Sequence, residues 1–182
     1  MRTLLFVAFM LSVATACSKD DRELAEFAAS ATRRAGAFQL ALRTELTQAM
    51  QQGGPAAAIL VCSQRATLLA TNASDDGQIV RRIGTRVRNV GNSPSTEDLR
   101  AINTLGERTQ NDDAPLRARG DDGRMRLYLP IRVTEACLTC HGDAAALAPE
   151  VREELARRYP DDKATGYAVG DLRGAVVVEA RD

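Results

Sequence analysis

The stretch that most constrains this 182-residue chain is Cys137-Leu138-Thr139-Cys140-His141-Gly142. Two cysteines separated by two residues and followed at once by a histidine form the signature of a c-type haem attachment site. Each thiol can add to one of the two vinyl groups on the same haem edge, which gives two thioether bonds. His141 then lies where its imidazole can reach the iron as the proximal ligand. The motif therefore predicts one covalent haem c, attached through Cys137 and Cys140.

Two other uses of paired cysteines suit this sequence less well. A zinc site needs ligands in a tetrahedral array, and the adjacent residues Cys140 and His141 rarely reach one ion together. A thioredoxin-type redox pair belongs to a βαβ unit, whereas this motif follows a predicted antiparallel hairpin. No nucleophile–base pair is visible, because His141 is the only histidine in the chain. We therefore predict a binding protein and not an enzyme.

The N-terminus has the pattern of an export signal. Arg2 is followed by an apolar segment, Leu4 to Val13, and then by the small residues Ala14-Thr15-Ala16, as in secretory signal peptides. The apolar segment is too short to cross a membrane. Cys17 follows the cleavage site as in a bacterial lipoprotein. We predict residues 1–16 to be a lipoprotein signal peptide and lipidated Cys17 to anchor a periplasmic protein to a membrane; plain secretion with an unmodified thiol is the alternative.

Composition limits the kinds of partner. The chain has 24 Lys and Arg against 24 Asp and Glu, so its formal net charge is zero and no nucleic-acid partner is indicated. Hydrophobic residues make up 45%, enough for the core of one domain, but aromatic residues make up only 4% and tryptophan is absent. A haem would supply the large flat apolar surface that such a core lacks.

In the N-terminal segment of residues 17–52, hydrophobic periodicity predicts a long helix from Asp20 to Gln52, which Asp20 or Asp21 can cap. Its apolar residues recur at alternating spacings of four and three: Leu24, Ala28, Ala31, Ala35, Phe38 and Leu42. This seam is expected to pack on the chain's own domain, with a homodimer contact as the alternative. Gly53-Gly54-Pro55 should end the helix.

Residues 53–182 are predicted to form one α+β domain, because helices come first and antiparallel strands with an inserted helix follow. Alternation of apolar and polar residues predicts a strand over Ile79 to Asn89, with arginines on its solvent-facing side. The remaining predicted elements are helices within Ala56–Ala70, Ser93–Gln110 and Pro149–Arg158, a hairpin of Leu116–Arg119 and Arg124–Val133, a loop over Tyr159–Asp171, and a final strand over Gly174–Ala180.

Several segments together resemble the c-type haem-binding PAS-like domains of bacterial exported proteins, which also form the outer sensor parts of membrane histidine kinases and chemotaxis-type receptors. The resemblance runs from about Phe38 to the C-terminus. It implies a central antiparallel sheet with helices on one side and the haem held against it. The matching segments are Ala58–Ser63, Arg88–Pro94, Cys137–Gly142, Tyr159–Tyr167 and Gly170–Ala175; Val90 departs from the family pattern, which usually has proline there.

The second axial position of the iron separates the possible functions. With His141 as the sole histidine, a bis-histidine haem within one chain is impossible, which leaves Met50, Met125, Lys163, Cys62 or an open position. The resemblance implies the Cys62 thiolate. An unpaired thiol in an oxidising compartment also needs an occupant, although a buried cysteine can simply act as a small hydrophobic residue.

A thiolate ligand stabilises ferric iron, and its loss on reduction would open a site for CO or NO, whereas methionine ligation suits electron transfer. We therefore predict a redox or diatomic-gas sensor that passes its signal to a redox or signalling protein partner; a monohaem electron-transfer cytochrome is the alternative. Arg86 and Arg88 are candidate partners of the haem propionates, because a guanidinium binds a carboxylate through two hydrogen bonds. By resemblance, Tyr167 and Arg173 line the pocket.

Overall fold

A sheet of four antiparallel strands lies at the centre of the computed structural model, which describes residues 19–75 and 77–181. Its strands are β1 (Gln78–Ile83), β2 (Leu116–Arg119), β3 (Met125–Arg132) and β4 (Leu172–Ala180), in the order β1-β4-β3-β2. The predicted hairpin is confirmed as β2 and β3. Strand β4 occupies an inner position, and its β-branched run Val176–Val178 is fully buried, as expected for a strand covered on both faces.

The helices are α1 (Lys19–Leu60), α2 (Ala66–Ala73), α3 (Thr96–Gly106), α4 (Leu138–His141) and α5 (Pro149–Arg158). A π-helical turn, Val61–Arg65, joins α1 to α2 without a break. Within α1, Gly53 and Gly54 have non-helical backbone angles, and Gly54 has a φ of 67°. This interruption falls where the sequence predicted the N-terminal helix to end, because glycine tolerates the left-handed region and Pro55 restarts the helix at an early position.

Helix α1 packs its apolar seam against one face of the sheet. Phe27 and Phe38 lie together with the small residues Ala28, Ala31 and Ala35 of that seam. Their partners in the sheet are Val80, Leu127, Val176 and Val178. The seam is therefore buried on the chain's own domain, as the favoured interpretation of the periodicity predicted.

The opposite face of the sheet carries helix α3. This helix packs its residues Ala101, Ile102 and Leu105 on the sheet. The strand side chains beneath it are Ile83, Tyr128, Ala175 and Val177. They alternate along the strands with the side chains that face α1. Sequence reasoning was therefore right about the α+β class with a long N-terminal helix. It was wrong to expect helices on one side only, because β4 is apolar on both faces and needs cover on both.

Asp98 joins α3 to the sheet. Its side chain caps the helix by accepting from the Ser95 backbone N–H at 2.9 Å, while the Ser95 hydroxyl accepts from the Asp98 N–H at 3.1 Å. The same carboxylate accepts from both terminal nitrogens of Arg81 on β1, at 2.9 and 2.8 Å. These bonds hold the pKa of the buried carboxyl below its usual value despite burial. One acidic residue thus marks where α3 begins and ties the helix to β1.

Strand β1 ends at Ile83, six residues before the predicted end at Asn89. Its pairing with β4 stops at Ile83 and Ala175. Beyond that point the Gly84 N–H donates to the Asn92 carbonyl at 3.2 Å, which turns the chain away from the sheet. Arg86 and Arg88 therefore lie in a loop and not on a solvent-facing strand surface. The alternation of apolar residues could not show where β1 ends, because the strand stops where its pairing with the distant strand β4 stops.

We expect Gly174→Ala to destabilise the protein by about 3 kcal/mol, since overpacking and strained backbone each contribute up to that order. Gly174 has a φ of 151°, and a Cβ there would lie 1.9 Å from the Ile83 carbonyl oxygen. Urea unfolding measures the effect. Gly123→Ala is the matched control, because Gly123 has a φ of 80° but nothing within 4 Å of its Cβ position. Equal losses in the two variants would contradict the steric argument.

Candidate functional site

The Cys137–His141 motif lies directly after the last strand residues of β3, at one end of the sheet. A 3-10 turn (Glu135–Cys137) runs into the single-turn helix α4, and the Cys137 N–H donates to the Thr134 carbonyl at 2.9 Å. Residues three and four apart on a helical turn are neighbours. The fold therefore gathers Cys137, Cys140 and His141 on one short helical surface. Both cysteines are free and half-buried.

His141 is held as a neutral imidazole. Its Nδ1 lies 2.6 Å from the Ala164 carbonyl oxygen, and since a carbonyl can only accept, Nδ1 carries the proton and Nε2 is left with a lone pair. Burial, assisted by the positive charges of Arg88 and Arg173, lowers the pKa of the ring from 6.5 to about 3. A hydrogen bond from one ring nitrogen to a carbonyl is the usual way to orient a metal-binding histidine.

The loop over residues 159–171 covers the motif and supplies that carbonyl. The Gly166 N–H donates to the Gly142 carbonyl at 2.7 Å, and the Tyr167 N–H donates to the His141 carbonyl at 3.0 Å. The Tyr167 ring stands edge-on to the imidazole, with 6.2 Å between the ring centroids. The long loop is therefore a structural lid on the histidine.

Arg88 ties this loop to the motif. Its buried guanidinium donates to Asp162 Oδ2 at 3.0 Å, to the Cys140 carbonyl at 2.6 Å and to the Ala164 carbonyl at 3.3 Å. Arg88 thereby positions the same carbonyl that holds His141. Its Nε and Nη2 are thus bound to protein oxygens, and its role as a propionate partner stays a prediction.

Arg86 also bonds to the loop. It donates to the carbonyls of Thr165 at 3.0 Å and Gly166 at 2.9 Å, and its guanidinium carbon lies 4.4 Å from the Tyr167 ring centroid. This geometry fits a cation–π contact that fixes the loop. Sequence reasoning recognised that Arg86 and Arg88 belong to this region but not that they bind the chain's own backbone, which only the tertiary contacts show.

Tyr167 and Arg173 lie against each other near His141, and their role in lining a pocket stays a prediction. The guanidinium carbon of Arg173 is 5.4 Å from the Tyr167 ring centroid. The Tyr167 hydroxyl is buried, and it has no hydrogen-bond partner within residues 19–75 and 77–181. A buried hydroxyl normally finds a partner, either in the protein or in a bound molecule.

Cys62 lies in the π-helical turn that follows α1. Just before it, Ile59 packs with Leu147, Val151 and Leu155, and Cys140 packs against this cluster. Burial raises the pKa of the Cys62 thiol above its usual value. The positive charges of Arg82, Arg88 and Arg173 offset part of this rise, and nearby Cys137 adds to it. The three non-leader cysteines are thus close enough to influence one another. Short π-helical turns are frequent at functional sites, and nothing in the local sequence signalled this one.

The other candidate iron ligands are placed differently. Met125 is the first residue of β3, whereas the motif follows the end of that strand at Arg132. The strand length separates them by about 23 Å, so Met125 is outside the site. Met50 is half-buried on α1, and Lys163 is exposed. Of the four named side chains, Cys62 is the one with an electrostatic link to both motif cysteines.

A separate groove of about 480 Å³ lies between α2 and β1. Among its lining residues are Ala66 and Ala70 of α2, Ser74 directly after α2, and Ile79 and Arg82 of β1; Cys137, Cys140 and His141 do not line it. The motif is covered by the loop over residues 159–171 and not by the walls of this groove. Arg82 is the residue that borders the groove and also faces Cys62.

The residues present fit a covalently attached haem. Two free thiols lie one helical turn apart, a neutral imidazole with a bare Nε2 follows them, and a third free thiol lies nearby. This is the donor set of a c-type haem with histidine and thiolate ligation. The unpartnered hydroxyl of Tyr167 is consistent with a bound molecule beside it.

Comparison with known proteins agrees with this fold. Residues 10–180 match the protein family described as Tll0287-like. The crystal structure of the cyanobacterial haem protein Tll0287 matches with a TM-score of 0.57 and 22% identity, over 86% of this chain and 93% of that chain. No curated protein matches. Because the family match spans nearly the whole sequence, the chain belongs to the Tll0287-like family.

Proposed function

We propose that this protein binds one c-type haem, with thioether bonds to Cys137 and Cys140 and with His141 and Cys62 as the axial iron ligands. The observation that carries the proposal is the state of His141. Its Nδ1 is bound to the Ala164 carbonyl at 2.6 Å, so that a bare Nε2 follows directly after two free thiols. The relative Tll0287 is described as a haem protein, which supports haem binding.

Each residue of the site has a defined task in this proposal. The Ala164 carbonyl fixes the imidazole plane and makes the ring a stronger electron donor. Arg88 holds that carbonyl in place while it also binds Asp162, at 2.9 Å. The loop over residues 159–171 keeps water from the histidine. When bound, the haem supplies an iron that changes oxidation state and can take a diatomic gas.

We propose a sensing role, responding to redox state or a diatomic gas, over simple electron transfer. Cys62 supports this choice by its position: it lies close enough to Cys137 and Cys140 for their charges to interact. Burial raises the pKa of its thiol, so the thiolate would form on binding iron, which takes the deprotonated sulfur as its ligand. A thiolate ligand stabilises ferric iron, so the bond between the Cys62 sulfur and the iron would weaken when the iron is reduced. The signal would pass to a redox or signalling partner. A monohaem electron-transfer protein is the alternative, and methionine ligation would favour it.

Haem attachment is tested on protein produced in a host that matures c-type cytochromes. We expect the purified chain to keep its haem after denaturation and to give the pyridine haemochrome spectrum of a porphyrin with two thioether bonds. Haem that is extracted by acidified acetone, or an absence of haem, would refute covalent attachment.

We also propose that the protein is exported and anchored by lipid on Cys17. The signal peptide and Cys17 lie outside the described residues, and the support for the anchor is the leader pattern alone. Within the part of the chain that the structure describes, no helix is long and apolar enough to span a bilayer. Mass spectrometry of the mature N-terminus is expected to find an acylated Cys17; an unmodified, soluble protein would refute the anchor.

A further inference from the structure

We infer that Arg82 and Arg173 together form a carboxylate-binding pair that takes the two propionates of the haem. This inference rests on the proposed haem. It adds to the predicted partners Arg86 and Arg88, which already donate to protein oxygens, two arginines for which residues 19–75 and 77–181 supply no hydrogen-bond acceptor.

Arg82 lies near the end of β1, on the face that carries α1. Side chains two apart on a strand share a face, and Val80 packs in the cluster under α1. Arg82 is half-buried, in contrast to a freely solvated strand-edge arginine. Its charge acts on Cys62 and on Tyr159, which places its guanidinium on the side of the candidate iron ligand.

Arg173 reaches the same place from the start of β4. Strands β1 and β4 pair through Ile83 and Ala175, so Arg173 lies beside the end of β1. A Cβ on Gly84 would be 2.5 Å from Arg173 Nη1, which shows that the guanidinium crosses the backbone directly after β1. Tyr167 contacts both this guanidinium, at 5.4 Å, and the His141 ring, at 6.2 Å.

Neither arginine has an anionic partner in the part of the chain that the structure describes. Within residues 19–75 and 77–181, no hydrogen bond or ion pair neutralises Arg82 or Arg173. Asp162, the nearby acid that acts on Arg173, is already bound to Arg88 at 2.9 Å. By contrast, the buried Arg126 is within 3.0 Å of Glu97, Asp122 and Glu179. Two half-buried positive charges that act on each other therefore have no compensating acid among the described residues.

Such an arrangement is costly unless an anion binds there. Burial lowers the pKa of both guanidinium groups, and the charges of Arg88 and Arg82 lower that of Arg173 further. Uncompensated buried charges are rare in folded proteins. Guanidinium groups match carboxylates through paired hydrogen bonds. Two such guanidinium groups, one towards Cys62 and the other against Tyr167, suit the two propionate carboxylates of a haem bound in this site.

The test compares Arg82→Met, Arg173→Met and the double variant in holoprotein and in haem-free protein. Arg100→Met is the control, because Arg100 is exposed and pairs with Asp121 on the surface. We expect each site variant to raise the unfolding equilibrium constant of the holoprotein about tenfold. The haem-free chain, made as the Cys137→Ser, Cys140→Ser variant, should lose no stability.

A second readout needs only the holoprotein. The haem midpoint potential changes with pH in the range where the propionates gain or lose a proton. Nearby positive charges stabilise the ionised propionates, so removing both arginines should move this pH range upward. The amount of covalent haem should not change, which separates failure of this inference from failure of the proposed function. Equal loss of stability with and without haem, or an unchanged pH dependence, would overturn the inference.

Inorganic phosphate distinguishes a free anion from the propionates. One outcome is that the wild-type protein takes up no haem but is stabilised by phosphate, whereas phosphate does not stabilise the double arginine variant. The pair would then be a site for free anions, and the propionate assignment would be wrong. If phosphate stabilises the haem-free chain but no longer stabilises the holoprotein, the haem occupies the same donors, which supports the inference.

Discussion

Replacing Cys137 and Cys140 together by serine is expected to abolish covalent haem attachment. Serine hydroxyls are far weaker nucleophiles than thiols and do not form the thioether bonds. The two cysteines are half-buried and free, and they lie on adjacent turns of one short helical segment. Each single variant should keep one thioether, so it should retain some haem and show a shifted pyridine haemochrome band.

The measurement is haem staining after denaturing electrophoresis, with the pyridine haemochrome spectrum beside it. Cys62→Ser is the matched control, because it removes a third free thiol of similar burial that is not predicted to form a thioether. We expect this control to keep the full amount of covalent haem. Haem that survives denaturation in the double variant, or that is lost equally in Cys62→Ser, would contradict the assignment of Cys137 and Cys140.

Cys62→Ser is expected to keep covalent haem but to change the iron. Without the thiolate, the ferric protein should lose the absorption features of histidine–thiolate ligation. The midpoint potential should rise by an amount on the order of 100 mV, since axial ligands are a main determinant of haem potentials. The ferrous variant should also take up CO faster than wild type, because no protein ligand has to be displaced.

Ferric and ferrous absorption spectra of wild type and variant decide this. Met125→Leu is the control: Met125 lies about 23 Å along β3 from the motif, so its replacement should leave both spectra unchanged. A methionine–iron charge-transfer band that survives Cys62→Ser would refute thiolate ligation. It would favour the electron-transfer alternative, with Met50 as the next ligand to test.

Much of the secondary structure follows from local physical chemistry. Asp98 and Ser95 cap α3 through their own side chains, and Pro149 begins α5 at an early helical position. The turn at residues 120–123 and the β-branched run of β4 depend on short-range preferences for turns and strands. These features are readable from sequence because the interactions that create them span only a few residues.

Sequence patterns did not predict where β1 ends or that helices cover both faces of the sheet. Strand length depends on the partner strand, and β1 stops at Ile83 because its pairing with β4 stops there. The position of α3 under Ile83 and Tyr128 likewise depends on contacts between distant parts of the chain. An alternating pattern reports that a residue faces a core, but it does not report which element forms that core.

The roles of the arginines divide in the same way. A guanidinium beside a predicted pocket is a reasonable candidate for an anionic ligand, and the sequence offers several within one segment. Only the structure shows that Arg88 binds Asp162 and two backbone carbonyls. Among the described residues, Arg82 and Arg173 meet no such oxygen. Which arginine is free depends on where loops from other parts of the chain present their oxygens.

The sequence by itself determined the chemistry that this protein can carry. Two thiols and an imidazole at this spacing predict haem attachment wherever the chain places them, because the reactive groups lie within one helical turn. The tertiary structure decided what surrounds them: Ala164 holds the Nδ1 proton of His141, and the turn after α1 brings Cys62 near the motif. Such contacts join residues far apart in the chain, and only packing of the sheet, helices and loop brings those residues together.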